Sequence, residues 1–353
     1  MVFDHDVALA PKTTFGIGGP ARRFVRVDNV DELEAALKEA KASDDRILIL
    51  GGGSNMLVAD AGFCGLVIQI GIAGVEIRLH AEVAIVSAFA GVVWDDFVAQ
   101  MVEAKLVGLE CMSGIPGLVG ATPMQNVGAY GQEVAETVIL VRALDRTTGE
   151  IVTFDHAQCQ FSYRSSMFKG SERWIVIEVR FRLTRGEASK PIRYAELSRA
   201  LRIADGASAP LAEVRATVIA LRRGKGMVRD PADPDSRSAG SFFVNPIVDA
   251  STLAAVEAAV TGLGQGISMP RFPAPDGKTK LSAAWLIERA GFAKGYTRGR
   301  AGISNKHALA LINRGGATAT EILALAREIQ EGVLAKFGVA LVPEVQILGY
   351  AAG

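Results

Sequence analysis

The sequence predicts an α+β protein rather than a regular doubly wound sheet, on three observations. The N-terminal segment alternates strand, helix and strand. From Gly65 the texture turns β-rich with few intervening helices, and helices separated by breakers return in the last third. At 353 residues, 49% of them apolar and 22% charged, the chain has room for two or three domains and a sizeable core.

Taken in order, Phe24–Val27 reads as a strand and Asp31–Ala40 as a helix, with Asp at its start and apolar residues on one face. Arg46–Leu50 is a short β-branched run, expected as a buried strand, and it leads straight into Gly51-Gly52-Gly53-Ser54-Asn55. Strands follow at Leu66–Ile70, Val75–Leu79 and Ala84–Ala88, then a helix from about Trp94 to Lys105. Beyond a long glycine-rich loop come strands at Val138–Leu144, Ile151–Phe154 and Trp174–Leu183, and a helix at Ala212–Arg223. Lys225 to Ser238 is polar and rich in breakers, which places a domain boundary near it. Helical patterns at Leu253–Val260, Leu281–Ala290 and Ala319–Phe337 follow, the last ending near Gly338, and Val345–Leu348 is a terminal strand. No internal repeat is present.

Composition excludes several classes of function. The 38 basic and 38 acidic side chains cancel, and no basic stripe recommends nucleic acid. No apolar run reaches the eighteen or so residues of a membrane span. The first residues, with Asp4 and Asp6, lack the basic and apolar regions of a secretion signal. Cys64, Cys111 and Cys159 are dispersed, as are His5, His80, His156 and His307. No zinc site or disulfide scaffold is expected, a reducing cytoplasm fits, and each cysteine is expected to be buried packing.

Gly114–Glu133, G-I-P-G-L-V-G-A-T-P-M-Q-N-V-G-A-Y-G-Q-E, holds five glycines and two prolines and little that could build a regular core element. Glycine lets a ligand approach the main chain closely, and the N–H groups can then face an anion or a ring heteroatom. Pro116 and Pro123 fix the turns between the glycines. The Gly51 loop follows a strand, and its amides, short hydroxyl and carboxamide suit a pyrophosphate. It has neither the G-x-G-x-x-G spacing nor a Walker A lysine. Alone, the Gly51 loop is explained equally well by a tight strand-ending turn, and the Gly114 stretch by an extended loop joining two elements; two separate glycine loops together favour a ligand.

Three clusters could carry chemistry. Phe161–Lys169 concentrates aromatics and cations, and Arg164 there could meet a substrate carboxylate with two prongs. Ser238–Pro246 sets Ser241 beside Phe242 and Phe243, an apolar setting for a hydroxyl, although such a serine is more often a cap or turn residue. Leu341–Val345 puts Glu344 at the start of an apolar strand. A partly buried carboxyl there could stay protonated, and a water-facing one would be ordinary.

In order along the chain, these motifs resemble one family: UDP-N-acetylenolpyruvoylglucosamine reductase, the MurB family of UDP-N-acetylmuramate dehydrogenases. The matching text is T-F-G-I-G-G at 14–19, I-L-G-G-G-S-N-M-L-V at 49–58, the Gly114 loop, Y-R-S-S-M-F-K at 163–169, A-G-S-F-F-V-N-P at 239–246, S-N-K-H-A-L-A-L-I-N at 304–313 and P-E-V-Q-I-L-G at 343–349. Thr13 departs from the family's usual Asn. Ile192–Leu197 looks like the tyrosine loop of the family's long type.

The resemblance implies a fold and a chemistry. The fold would be the vanillyl-alcohol-oxidase type of FAD-binding fold in two subdomains, 1–70 and 71–222, with a C-terminal α+β substrate domain at 223–353 whose last strand could return to the FAD domain. The activity would be NADPH-dependent reduction of UDP-N-acetylglucosamine-enolpyruvate through non-covalent FAD, for peptidoglycan, by a cytoplasmic monomer without membrane or nucleic-acid partners.

Arg164, Ser241 and Glu344 match the family's catalytic residues. Gly51, Gly52, Gly53, Ser54 and Asn55 would hold the FAD pyrophosphate. Ser113, Gly114, Ile115, Pro116, Gly120, Ala121, Gln125, Asn126, Gly128, Ala129 and Tyr130 would complete the cofactor site around the isoalloxazine. Tyr163, Tyr194, Lys225 and Asn245 would bind substrate, with Tyr194 and Lys225 on the UDP phosphates. Another flavin oxidoreductase on the same fold would not need Ser241, Glu344 or the tyrosine loop. A UDP-sugar-binding protein without catalysis would not need Arg164, Ser241 and Glu344.

Overall fold

The computed structural model describes residues 1–264 and 266–350. The chain forms two compact units, each assembled from separate stretches: Met1–Val7, Ala21–Gly53 and Cys64–Gly224 in the first, and Ala8–Pro20, Ser54–Phe63 and the chain from Lys225 onward in the second. The segments 8–20 and 54–63, expected within a subdomain 1–70, therefore pack with the C-terminal part.

The first unit holds two cores. One lies between helix α1 (Val30–Ala42) and a four-stranded sheet ordered Asp4–Ala8, Pro20–Val27, Phe63–Ile70, Ile47–Leu50. Strand Ile47–Leu50 runs parallel to its neighbour, Ile47 opposite Leu66. Leu33, Ala36 and Ala40 recur on one face of α1 and bury against Val25, Leu66 and Ile68. Asn29 caps this helix, its side chain accepting from Glu32 N at 2.9 Å, so the helix starts at Val30, one residue ahead of the expected Asp31. Asp31 and Glu32 occupy the first turn instead, where the helix dipole favours acids.

The other core lies under a larger antiparallel sheet ordered Ile151–Asp155, Val138–Asp145, Trp174–Arg185, Val83–Phe89, Val75–Leu79, with Leu106–Val107 pairing to the end of Trp174–Arg185. Alternation turns Ala84, Val86 and Ala88 inward. Helix α2 (Trp94–Glu103) covers them with Trp94, Phe97, Val98 and Met101, and the Phe97 and Phe181 rings meet at 5.2 Å between centroids. Two further helices, α3 (Ala195–Leu201) and α4 (Leu211–Gly224), close a small cluster around Leu197, Val214 and Val218.

In the second unit α5 (Ala250–Thr261), α6 (Ala283–Arg289) and α7 (Ala319–Phe337) surround a core that includes Phe15, Leu57, Phe242 and Phe243. Helix α7 has the expected bounds because both ends are locally determined. Thr318 and Glu321 form a reciprocal capping box, and Gly338 ends the helix at φ 67. Strand Gln346–Leu348 pairs in parallel with Met56–Val58, a partner 54–63 supplies to this unit. Two small three-stranded sheets, Ile247–Val248 with Thr279–Leu281 and Arg271–Pro273, and Thr297–Arg298 with Ala301–Ile303 and Leu311–Asn313, were not expected; their strands are too short to show a period.

Of the cysteines, Cys111 and Cys159 are buried as expected, and Cys64 is not. It is exposed near the start of Phe63–Ile70, although it shares a strand row with the buried Leu66, Ile68 and Ile70 further along. Burial pushes the Cys159 thiol up to about 12.

Candidate active site

In the first unit the Gly114 loop is stitched to the segment ahead of α2. Gly120 N donates to Ala90 O at 3.0 Å, Val119 N to Val92 O at 2.9 Å, and Trp94 N to Gly117 O at 3.0 Å. The close approach needs glycine: a Cβ on Gly120 would stand 2.4 Å from Ala90 Cβ. The Gly51–Gly53 turn meets this loop main chain to main chain, since a Cβ on Gly52 would lie 2.9 Å from Gly117 Cα. Two partly buried stretches of glycine backbone thus lie side by side, in main-chain contact at Gly52 and Gly117. Such a cradle fits a dinucleotide cofactor, whose phosphates and ring edge bind amide groups directly.

The end of the loop is a hairpin, Gly128–Ala129 paired with Gln132–Glu133. Tyr130 and Gly131 are its two turn residues, both with positive φ, 48 and 85, which matches the strand twist of a tight hairpin. The turn carries the Tyr130 ring edge-on to Tyr194, centroids 5.3 Å apart. Burial pushes the Tyr130 phenol up to about 12, with Arg222 pulling the other way. Burial also raises Tyr194, which stands directly before α3. Buried Arg222, on α4, is pulled down to about 10 by burial against the attraction of Tyr130 and Asp95.

Arg164 sits on a second tight turn. Ser162 and Ser165 bond each other's backbone at 3.0 and 3.1 Å, leaving Tyr163 and Arg164 at the tip. Arg164 takes φ 52, an uncommon conformation for a residue with a Cβ. The turn is fastened to the glycine loop twice, by Asn126 Nδ2 to Ser162 O at 3.1 Å and by Ser166 Oγ to Met124 O at 2.8 Å. The Arg164 guanidinium donates to Gly128 O at 2.9 Å and lies 3.9 Å from Glu133. Strain held by such fastening concentrates at functional sites.

In the second unit Ser241 and Glu344 come together on facing segments. Phe243 bridges Pro343 in antiparallel fashion, Glu344 N donates to Phe242 O at 2.8 Å, and Phe242 N donates to Leu309 O at 2.8 Å. Phe242 and Phe243 are each 1% exposed and pack edge to face. Ser241 and Glu344, both half-buried, are therefore held by a fixed backbone. Asn55 joins them, with Nδ2 donating to Glu344 O at 3.3 Å and its carbonyl accepting from Gln346 N at 3.1 Å.

The remaining expected residues fall into two groups. Gly51, Gly52, Gly53, Ser113, Gly114, Ile115, Pro116, Gly120, Ala121, Gln125, Asn126, Gly128, Ala129, Tyr130, Tyr163, Arg164 and Tyr194 belong to the first unit; Ser54, Asn55, Lys225, Ser241, Asn245 and Glu344 belong to the second. The single Gly51–Asn55 loop is thus shared by both.

Two expected contacts have internal duties. Asn126 is 1% exposed, and its carboxamide is engaged by Glu133, Ser162 and Ala135, so its side chain holds the loop together. Asn245 Oδ1 accepts from Ala283 N at 2.9 Å, at the first turn of α6. The sequence reading missed Asp95, whose carboxylate accepts from Gly114 N at 2.6 Å. Its one signal was its place in the first turn of a helix, where acids are commonplace.

Residues 21–155 match the model of an FAD binding domain, and residues 231–348 that of the UDP-N-acetylenolpyruvoylglucosamine reductase C-terminal domain. A UDP-N-acetylenolpyruvoylglucosamine reductase of Thermobifida fusca is 52% identical over 349 residues, covering 98% of each chain. One of Saccharopolyspora erythraea is 52% identical over 96% of this chain and 93% of its own. The crystal structure of UDP-N-acetylenolpyruvylglucosamine reductase from Thermus caldophilus superposes with a TM-score of 0.67 at 25% identity, over 99% of this chain and 100% of that one.

Proposed function

The chain belongs to the UDP-N-acetylenolpyruvoylglucosamine reductase family, and from that premise we propose that it reduces the enolpyruvyl group of UDP-N-acetylglucosamine-enolpyruvate to give UDP-N-acetylmuramate, a peptidoglycan precursor. It is an oxidoreductase with FAD as cofactor and NADPH as co-substrate. Bound FAD supplies the hydride, drawn from NADPH, that is added to C3 of the enolpyruvyl group. Gly51–Asn55 would receive the pyrophosphate, and the Gly114 loop the isoalloxazine ring. Neither stretch contains a His or Cys, so no covalent attachment is available there.

Hydride addition at C3 pushes the double-bond electrons onto C2 and into the carboxylate as an enolate. Holding that charge is the main demand on the protein. Arg164 takes the carboxylate side with its guanidinium, and Glu344 faces the same group as a carboxyl. Ser241 gives its hydroxyl proton to C2, and the resulting alkoxide is reprotonated from solvent. A serine is a poor acid in water, but the enolate carbon is a strong base and a nearby cation lowers the cost further. Tyr163, Tyr194, Lys225 and Asn245 are assigned to the substrate, with Tyr194 and Lys225 on its phosphates.

The observation that carries the reading is the pairing of the Ser241 and Glu344 segments through Phe242, Phe243 and Pro343. An oxidase on the same flavin scaffold has no use for it. The two cores of the first unit are read as the FAD-binding subdomains, and the second unit as the substrate domain. A cytoplasmic monomer is the reading of location and assembly; among the described residues no helix is long and apolar enough to cross a membrane. Anaerobic bleaching of the flavin by NADPH, followed by recovery of its colour on adding UDP-N-acetylglucosamine-enolpyruvate, tests the function. Recovery that needs oxygen instead of that substrate would sink it.

A further inference from the structure

Most of the Gly114 loop is held by backbone partners, but its first residue is held by a side chain. Gly114 N donates to Asp95 Oδ1 at 2.6 Å. The same carboxylate receives both prongs of Arg215, Nη1 to Oδ1 at 2.6 Å and Nη2 to Oδ2 at 3.0 Å. Asp95 belongs to the first turn of α2, Gly114 to the loop and Arg215 to α4, so one carboxylate joins three elements of the first unit. Helix α4 runs directly into Lys225.

The arrangement has the marks of a fixed charge. Burial alone would raise the Asp95 carboxyl, but the Arg215 and Gly114 hydrogen bonds and the charges of Arg215 and Arg222 hold it below its ordinary value. Its neighbour Asp96 is exposed, whereas both Asp95 and Arg215 are largely covered, at 32% and 18% side-chain exposure. Two charge-assisted prongs in a covered setting fix direction as well as distance. The direction of Gly114 N–H then sets how Ile115 and Pro116 present their backbone.

We propose that Asp95 is a positioning residue for the cofactor loop: clamped by Arg215, its carboxylate sets the orientation in which Gly114–Pro116 meets the flavin. The inference rests on the FAD assignment above and adds a residue to it. Asparagine keeps the shape of Asp95 and can still accept from Gly114, but its amide nitrogen must face one prong of Arg215. Lysine in place of Arg215 keeps the charge and loses one of the two prongs.

The test uses the purified holoenzyme, Asp95→Asn and Arg215→Lys, with equilibrium dialysis for FAD and the visible spectrum of the bound flavin as readouts. Asp95→Asn should weaken FAD binding about tenfold or more, the scale of one charge-assisted bond, and shift the visible band. Arg215→Lys should move both readouts the same way by less. FAD binding within about twofold of wild type with an unchanged band would overturn the proposal even if the melting temperature fell, because a purely structural ion pair predicts that pattern. Should the Asn variant be insoluble, the same outcome in Arg215→Lys overturns it. A wild-type protein that takes up no FAD removes the cofactor reading itself, and the positioning role with it.

Discussion

Gly120→Ala places one methyl group where the structure has no room. The added Cβ would lie 2.4 Å from Ala90 Cβ, 2.9 Å from Ala90 Cα and 3.2 Å from Ala90 O. Carbon atoms in contact prefer roughly 3.5–4 Å, so the two chains must part by about 1 Å. Ala90 cannot retreat easily, because its N–H is bonded to Ile177 O at 2.9 Å, in the middle of the large sheet. The loop must rise instead, at the expense of Gly120 N to Ala90 O and Val119 N to Val92 O. Losing those two bonds and overpacking the contact together cost about 3–5 kcal/mol, a large share of a typical domain's stability.

Urea unfolding of the holoenzyme should show that loss, and flavin content should fall with it if the displaced loop forms the proposed wall of the cofactor site. Gly224→Ala is the control. A Cβ there meets nothing within 4 Å, at the end of α4, so it should be neutral or stabilising by up to about 1 kcal/mol. A Gly120→Ala protein within about 1 kcal/mol of wild type and fully loaded with FAD would refute the close-packing argument.

Three other expectations follow from named residues. Ser241→Ala should leave NADPH bleaching of the flavin near normal in stopped flow and abolish turnover with the enolpyruvyl substrate; slowed bleaching with intact recovery of colour would remove the proton-donor role. Arg164→Ala and Glu344→Gln should each lower kcat by about a hundredfold or more while keeping the flavin, and a variant that loses FAD but turns over normally per bound flavin would reassign its residue. In acid, Arg173 beside Asp145 holds that carboxyl down at about 2, aided by the Thr147 amide and opposed by burial. Its folded value lies below its unfolded one, so its contribution is present above about pH 4 and lost as pH falls through about 2. The melting temperature of Asp145→Asn should accordingly lie below wild type at pH 5 and converge with it towards pH 2; a gap independent of pH would refute this.

What the sequence disclosed and what it hid divide by how far the cause of each feature lies along the chain. Helix α7 was legible to the residue because its apolar period, its Thr318–Glu321 cap and its Gly338 stop all lie within its own span. The Gly114 stretch was legible as irregular backbone for the same reason, its glycines and prolines lying within it. The N-cap at Asn29 escaped because Asp31 is an equally good local candidate, and only the packing of Leu33 and Ala36 decides the phase. Cys64 escaped because its row is covered only further along the strand, at Leu66, Ile68 and Ile70, and what covers a strand end is set by distant chain.

The assignment of 8–20 and 54–63 to the second unit lay further out of reach. Their partners are hundreds of residues away: Asn313 Nδ2 reaches Phe15 O at 3.0 Å, and Asp60 accepts from Ala319 N at 2.6 Å. The same rule separates the site residues. Gly52, Arg164 and Ser241 stand out in sequence because their surroundings are locally odd: glycine runs, an aromatic and cationic turn, a hydroxyl beside two phenylalanines. Asp95 and Asn126 have unremarkable neighbours in sequence, and their work is to hold other residues across gaps of 120 and 36 positions. A residue whose surroundings are odd within its own stretch can be read from the chain; one that only holds a distant residue is visible once the chain has folded around it.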